Sequence, residues 1–235
     1  MQASFKEWQD EVRSILNLIA LERKPYSIDV DNVAIEIFPD VFSPKYFTDS
    51  AWFATTLPNI VGESSLLEIG TGTGIISTFA ALKGAKVTAT DVNPCAVKNA
   101  IKNFSNHNLS IPVFLGEVFD PLDINQKFDY IFWNHPFNFG DNPQEEILLR
   151  SCFDYQYASL KKYISEARNH LRPHGKLLLG TGNYAELNKI EKIAETYGYE
   201  MLLMAKKDLP ISSGHPIVND YRIYEIKEVG LEGSF

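Results

Sequence analysis

The chain has 235 residues and carries 22 Lys and Arg against 30 Asp and Glu, a net charge of −8 at pH 7. This length predicts one large domain, or one domain with a small extension. The acidity disfavours non-specific binding to polyphosphate, although a local basic patch could still serve a nucleic-acid substrate. Two cysteines, a charged N-terminus and the lack of an 18-residue apolar run predict a soluble cytoplasmic protein that neither needs disulfides nor enters a membrane.

The beginning of the chain is predicted to form a small extension. Apolar residues recur at helical spacing within residues 1–24, which predicts an amphipathic helix that ends at Pro25. Residues 33–38 alternate partly between apolar and polar side chains and predict a strand. We therefore divide the chain into an N-terminal helix and strand extension (1–45) and a main domain (46–235).

The main domain alternates between strands and helices. Strands are predicted at 65–69, 86–90, 112–115, 128–133, 176–180, 200–206 and 220–227. Helices are predicted at 49–57, 75–83, 94–106, 145–150, 158–171 and 184–197. This alternation implies right-handed crossovers and a mostly parallel, doubly wound sheet in the α/β class. The loop 207–219 has no helical pattern, so the last two of the seven strands are predicted to form an antiparallel hairpin.

A glycine-rich turn, EIGTGTG (residues 68–74), joins the first core strand to its helix. Glycine is needed where the chain turns tightly with positive φ or where a Cβ would strike a ligand. The spacing G-x-G-x-G departs from the dinucleotide pattern G-x-G-x-x-G, whose third glycine would fall at Ile75. The carboxylate of Glu68 would repel a pyrophosphate but attract an ammonium, which favours S-adenosylmethionine (SAM) over NAD. The predicted cofactor-binding residues of this turn are Glu68, Gly70, Thr71, Gly72 and Gly74.

The ends of the next two strands extend the predicted cofactor site. Asp91 ends the second core strand, where an acidic side chain can accept hydrogen bonds from both ribose hydroxyls, and Val92 follows it. The alternative for Asp91 is a carboxylate that caps the next helix. After the third strand, Glu117 and Val118 (or Phe119) stand where adenine would lie, unless they are ordinary loop residues.

A second motif, Asn134-His135-Pro136-Phe137, follows the apolar strand 128–133. The side-chain carbonyl of Asn134 and the next backbone carbonyl can accept both N–H bonds of a planar NH2 group. Pro136 fixes the turn, and the ring of Phe137 can stack on a flat acceptor. Methyl transfer from a sulfonium is an in-line displacement, so catalysis is chiefly orientation and electrostatics. We therefore predict that these four residues are catalytic, that Asn134 also contacts the cofactor, and that no metal is needed.

The strings EIGTGTG, DVNPCAVKNA and NHPF resemble those of class I SAM-dependent methyltransferases that carry an (N/D/S)PP(Y/F) motif. The likeness covers residues 40–227 and is strongest to the small-domain group, which contains release-factor glutamine and rRNA guanine-amino methyltransferases. The resemblance implies a seven-stranded Rossmann-like methyltransferase sheet and SAM binding through the glycine turn and Asp91. It also implies N-methylation of an acceptor that is bound at Asn134. His135 departs from the motif by replacing its first proline; it either contacts substrate or is simply tolerated.

The leading hypothesis is a SAM-dependent N-methyltransferase acting on a planar amide or amine nitrogen. The partner is then a protein glutamine, which suits the acidic charge, or a base of structured RNA, which suits Phe137. A small-molecule methyltransferase and a non-catalytic SAM-binding module are the alternatives. The residues that could form a basic patch for RNA, but that we interpret as solvated faces, are Lys161, Lys162, Arg168, Arg172 and Lys176. The segment 138–154 is predicted to be a mobile lid.

Overall fold

The computed structural model describes residues 3–230. In chain order, the elements are α1 (Phe5–Ala20), β1 (Tyr26–Val30), β2 (Val33–Ile37), α2 (Asp49–Val61), β3 (Ser65–Ile69), α3 (Ile75–Leu82), β4 (Lys86–Asp91), α4 (Pro94–Asn106), β5 (Val113–Leu115), β6 (Phe128–Asn134), β7 (Asn138–Gly140), β8 (Phe153–Tyr155), α5 (Ala158–Glu166), β9 (Leu171–Gly182), α6 (Leu187–Thr196), β10 (Tyr199–Pro210) and β11 (Val218–Glu228). None of these helices is both long and apolar enough to cross a bilayer.

Seven strands form the central sheet, in the spatial order β10-β11-β9-β6-β3-β4-β5. β9, β6, β3, β4 and β5 run parallel, whereas β11 is antiparallel to both β9 and β10. The chain order reverses direction around β3, and open α/β sheets bind their ligands at the carboxyl ends of the strands beside such a reversal. The predicted α/β class, seven-stranded sheet and C-terminal antiparallel hairpin are confirmed.

Helix α1 begins at a capping box, in which the Ser4 hydroxyl accepts from the Glu7 backbone N–H and the Glu7 carboxylate accepts from the Ser4 N–H. Its apolar side is buried in the same hydrophobic core as the sheet. The buried residues of this helix are Trp8, Val12, Ile15, Leu16 and Ile19. The predicted N-terminal helix therefore exists, and it packs on the core of the sheet; the division at residue 45 stays a prediction.

Two asparagines of α4 attach the β1–β2 hairpin to the rest of the molecule. The Oδ1 atom of Asn103 accepts from the Glu36 N–H at 2.8 Å, and its Nδ2 donates to the carbonyl oxygens of Glu36 (2.7 Å) and Thr73 (2.8 Å). Asn99 accepts from the Phe38 N–H at 2.8 Å and donates to the Glu36 carbonyl at 2.7 Å. Because Thr73 belongs to the glycine turn, the hairpin and that turn share one buried hydrogen-bond network.

The structure differs from the sequence prediction chiefly between β6 and α5. Residues 145–150 are not an α-helix, and only Leu149–Ser151 form a single 3-10 turn. Such a short segment gains too few hydrogen bonds to offset the cost of nucleating a helix. The strands β7 and β8 at either end of this segment pair in parallel, which the sequence pattern did not predict. The segment predicted to be a lid is therefore closed at its base by a two-stranded sheet.

Candidate active site

A cavity of 390 Å³ lies at the carboxyl ends of β3, β4 and β6. Its walls bring together the glycine turn, the strand-end carboxylate and the NHPF motif, which lie far apart in the sequence. The predicted site residues that line it are Glu68, Gly70, Thr71, Gly72, Asp91, Val92, Glu117, Val118, Asn134, His135, Pro136 and Phe137. Gly74 does not line the cavity, and neither does Phe119, the alternative to Val118.

Two glycines of the turn are needed for different reasons. Gly70 has a φ of 64°, and a Cβ there would lie 2.8 Å from the indole nitrogen of Trp133, which also lines the cavity. Gly74 precedes α3 with a φ of 78°, and a Cβ there would lie 2.7 Å from the Phe104 ring and 3.1 Å from the Ala100 Cα. Gly74 therefore lets the turn pack tightly on α4, while Gly70 shapes the cavity wall.

Glu68 is buried beneath the glycine turn. Its Oε2 atom accepts hydrogen bonds from the Thr71 hydroxyl at 2.7 Å, from the Ser77 backbone N–H at 3.1 Å and from the Ser77 hydroxyl. Burial raises the pKa of this carboxyl to about 7, although the three donors act in the opposite direction. Since these bonds all reach Oε2, the Oε1 atom is the one left for a cation in the cavity.

Asp91 is held by backbone groups on both sides. Its Oδ2 accepts from the Gly72 N–H and its Oδ1 from the Asn93 N–H, each at 2.8 Å. Burial raises the pKa of this carboxyl, and the backbone donors partly oppose that effect. Each carboxylate oxygen keeps a further lone pair, so the group can still accept from two hydroxyls.

The residues predicted beside the adenine are held on one side of the cavity. The Glu117 carboxylate accepts from the Ser159 hydroxyl at 3.0 Å and lies 3.6 Å from the Arg150 guanidinium. Val118 has a φ of 49°, an uncommon conformation for a β-branched residue. It is fixed there because its carbonyl accepts from the Thr90 hydroxyl at 3.1 Å and its side chain is buried. Such backbone strain is concentrated at binding sites.

Asn134 is oriented by a carboxylate that the sequence analysis did not single out. Its Nδ2 atom donates to Oδ2 of Asp49, the first residue of α2, at 2.9 Å. The Oδ1 atom of Asn134 is buried and has no hydrogen-bond partner within residues 3–230. Burial raises the pKa of Asp49, and the Asn134 amide opposes that shift. Asp49 thus fixes which end of the amide is free, and the free end is an acceptor.

His135 is packed inside the protein. Its Nε2 atom lies 3.0 Å from the Thr181 hydroxyl, and its backbone N–H donates to the Gly180 carbonyl at 3.3 Å. Burial lowers the pKa of the imidazole to about 3, so the ring is neutral near pH 7. The Phe137 ring beside it is 8% exposed, and the Phe137 carbonyl accepts from the Tyr157 hydroxyl at 2.7 Å. His135 therefore brings no charge to the cavity.

The N-terminal helix and the segment between β7 and β8 complete the cavity. Trp8 of α1 and Asn138 of β7 both line it, and the local sequence pattern gave no sign of this. Arg13 of α1 joins the two parts, because its guanidinium lies 3.1 Å from the Glu145 carboxylate and 4.1 Å from the centre of the Phe153 ring. Helix α1 thus forms part of the wall around the NHPF motif.

The cavity walls are acidic. Six lining residues have carboxyl groups: Asp49, Glu68, Asp91, Glu117, Glu145 and Asp154. Arg150 is the only Lys or Arg among the described lining residues. No three of the described His, Cys, Asp and Glu residues are grouped so that they could hold a metal ion. The charge distribution suits a cofactor with an ammonium and disfavours a chain of phosphates at this site.

A family model described as "Methyltransferase small domain" matches residues 32–208. The chain belongs to this family. The prediction of a SAM-dependent methyltransferase of the small-domain group is thereby confirmed, as is SAM as its cofactor. The roles of single residues in this methyltransferase stay predictions.

The methyltransferase is similar to proteins named for two kinds of acceptor. It is 28% identical to a candidate protein N5-glutamine methyltransferase of Methanocaldococcus jannaschii, over 83% of this chain and 99% of the relative. A methyltransferase structure from Pyrococcus furiosus matches with a TM-score of 0.62 and 20% identity, over 95% of this chain and 99% of the other. A 16S rRNA methyltransferase from T. thermophilus was solved with AdoMet and guanosine. It matches with a TM-score of 0.60 and 19% identity, over 88% of this chain but only 50% of the other chain.

Proposed function

We propose that this methyltransferase transfers a methyl group from SAM to the side-chain amide nitrogen of a glutamine in a protein. One observation carries the proposal: the buried Oδ1 atom of Asn134 has no partner, and Asp49 holds it in that orientation. An unpaired buried acceptor costs about 1–3 kcal/mol, so a ligand that donates an N–H to it binds with that gain. A planar NH2 group is such a ligand.

The cofactor end of the cavity fits SAM. Oε1 of Glu68 is available for the ammonium, and the Asp91 carboxylate for the ribose hydroxyls. Glu117 and Val118 stand where the adenine would lie, and the backbone of Gly70 lines the cavity beside Glu68. When bound, SAM supplies an electrophilic methyl carbon on sulfur, whose C–S bond breaks with both electrons going to sulfur.

The chain's own residues then have to place the acceptor nitrogen and keep it neutral. Asn134 accepts one N–H, which turns the nitrogen lone pair toward the methyl carbon, and the new N–C bond forms from that lone pair. The proton leaves the nitrogen after the methyl arrives and passes to water, so no strong base is required. His135 does not serve as that base, since its imidazole is packed against Thr181 and its pKa is lowered to about 3.

Charge favours a protein acceptor over RNA. Four of the five candidate basic-patch residues are paired with carboxylates, in the ion pairs Lys162–Asp120, Arg168–Glu228, Arg172–Asp129 and Lys176–Glu225. Their positive charge is therefore largely neutralised at the surface. The name of the M. jannaschii relative, which this chain matches over almost the whole of that protein, points to the same acceptor. A cytoplasmic location stays a prediction.

The test is a labelling experiment with tritiated SAM and an extract from a strain that lacks this protein. We expect the label to enter material that protease degrades and nuclease does not, and acid hydrolysis to release it as volatile methylamine from an N-methyl amide. The Asn134→Ala variant, with SAM affinity retained, should add no label. Label that nuclease removes, or that stays with small molecules, would overturn the proposal.

A further inference from the structure

Buried polar atoms without a partner are concentrated in the cavity. Six such side-chain atoms occur within residues 3–230, and four belong to residues that line the cavity: Trp8 Nε1, Asn134 Oδ1, His135 Nδ1 and Asn138 Oδ1. The indole N–H of Trp8 differs from the others because it can only donate. Buried donors in native proteins are nearly always paired, so this one calls for a ligand acceptor.

The fold places Trp8 on the acceptor side of the cavity. Its ring stacks on that of Tyr184, with centres 4.4 Å apart and planes 2° from parallel. Tyr184 follows the carboxyl end of β9, and in β9 the residue Gly180 pairs with Asn134. The glycine turn lies on the other side of β6, after β3. Trp8 is therefore close to the NHPF motif and away from the residues predicted for the cofactor.

Stacking also fixes the indole. Trp8 is 2% exposed, and the Tyr184 hydroxyl that supports it accepts from the backbone N–H of Ala3 at 3.0 Å. The capping box at Ser4 starts the helix that carries Trp8. A donor held this rigidly loses little rotamer entropy when a ligand binds, which favours a binding role.

The unpaired atoms match a primary carboxamide. Such a group has two N–H donors and one carbonyl acceptor, while the residues that line the cavity carry the buried, unpaired acceptors Asn134 Oδ1 and Asn138 Oδ1 and the donor Trp8 Nε1. A lysine amine has no carbonyl and would leave the indole unpaired. The inventory therefore excludes a simple amine and fits a planar NH2 group that carries an adjacent acceptor, as the glutamine amide of the proposed function does.

We propose that Trp8 binds the acceptor, by donating its Nε1–H to the carbonyl oxygen of the glutamine side-chain amide. This rests on the proposed function. When the nitrogen is methylated, its lone pair leaves resonance with the carbonyl, and the carbonyl oxygen becomes a weaker acceptor. The Trp8 hydrogen bond is therefore at least as strong with bound substrate as in the transition state. It should set KM and leave kcat nearly unchanged.

Trp8→Phe tests this, because it keeps the stacking ring and removes only the N–H. The acceptor is the protein fraction of the deletion-strain extract, added over a wide range of dilutions with tritiated SAM. We expect the half-saturating amount to rise about tenfold, with an equal plateau and unchanged SAM affinity by calorimetry. Trp52→Phe, a half-buried indole outside the cavity lining, should change nothing.

An equal half-saturating amount for Trp8→Phe and wild type would overturn the inference, as would a lower plateau together with weaker SAM binding. A second measurement needs no mutant to be active. In the wild type with S-adenosylhomocysteine, adding N-acetylglutamine methylamide should shift the indole N–H resonance of Trp8 and not that of Trp52. If the chemical shift of the Trp8 indole N–H does not change, the inference is likewise overturned. If the wild type labels no protein at all, the proposed function has failed instead.

Discussion

Replacing Asp49 tests how the acceptor nitrogen is oriented. Asp49 is 5% exposed, and its Oδ2 atom receives the Nδ2–H of Asn134 at 2.9 Å. Asp49→Ala removes the partner that fixes the amide. The Asn134 side chain can then rotate and turn its NH2 toward the cavity. Two donors would then face each other, the NH2 of Asn134 and the NH2 of the substrate, and no hydrogen bond could form between them.

The magnitude follows from the contact. A hydrogen bond to a charged group contributes about 1.5–3 kcal/mol, and about 1.4 kcal/mol corresponds to tenfold in rate. We therefore expect Asp49→Ala to lower kcat by roughly 10–150-fold. Asp49→Asn keeps the shape and offers a neutral carbonyl to Asn134, so its loss should be smaller.

The assay is transfer of tritium from SAM to the protein fraction, together with SAM binding by calorimetry. Ser50→Ala is the matched control, because the buried Ser50 hydroxyl donates to the other oxygen of Asp49, Oδ1, at 3.4 Å, so this change perturbs Asp49 without removing its bond to Asn134. SAM affinity should stay within about threefold in all three variants. A kcat of Asp49→Ala close to that of wild type would refute the reasoning, and so would a loss of SAM binding as large as the loss of kcat.

Three further predictions concern the cofactor side. Asp91→Ala should weaken SAM binding by about 1–3 kcal/mol in calorimetry, because the ribose hydroxyls lose their acceptor; an unchanged affinity would exclude the ribose role. Since burial raises the pKa of Glu68 to about 7, its carboxylate is mostly charged at pH 7.5 and mostly protonated at pH 6, and SAM affinity should fall about eightfold between these pH values. Glu68→Gln, measured at both pH values to correct for titration of the cofactor's amine, should lack this fall, and an equal fall in both proteins would contradict it. Gly74→Ala combines a positive φ with a contact of 2.7 Å to Phe104, so it should cost about 2–4 kcal/mol and lower Tm by roughly 5–15 °C; an unchanged Tm in calorimetry would show that the turn can relax.

The regular elements could be predicted because their residues repeat with the period of the structure. The strand 65–69 and the helix 94–106 have the predicted bounds, and the helix begins at an Asn93 cap with Pro94 as its first residue. The three-residue strands β7 and β8 escaped prediction, since they are too short to show a period and are held by pairing with each other. Their pairing depends on contacts across the segment between them.

The site could be predicted only where its residues form a recognisable motif in the local sequence. The glycine turn and NHPF are such motifs, because backbone geometry there excludes most other residues. Asp49 and Trp8 carry no comparable signal: an acid at a helix start is common, and an aromatic residue in an apolar helix stripe normally belongs to the core. Both reach the cavity through contacts with residues far away in the chain, such as Asn134 and Tyr184. Their roles follow from tertiary structure alone.

The asparagine bridges of α4 also constrain the order in which the chain folds. The β1–β2 hairpin receives hydrogen bonds from the buried side chains of Asn99 and Asn103, more than 60 residues later in the sequence. A two-stranded hairpin alone is marginally stable in water. During synthesis, the hairpin therefore lacks these partners until α4 has emerged from the ribosome. The hairpin and the glycine turn should gain protection from hydrogen exchange together, as one late-forming cooperative unit.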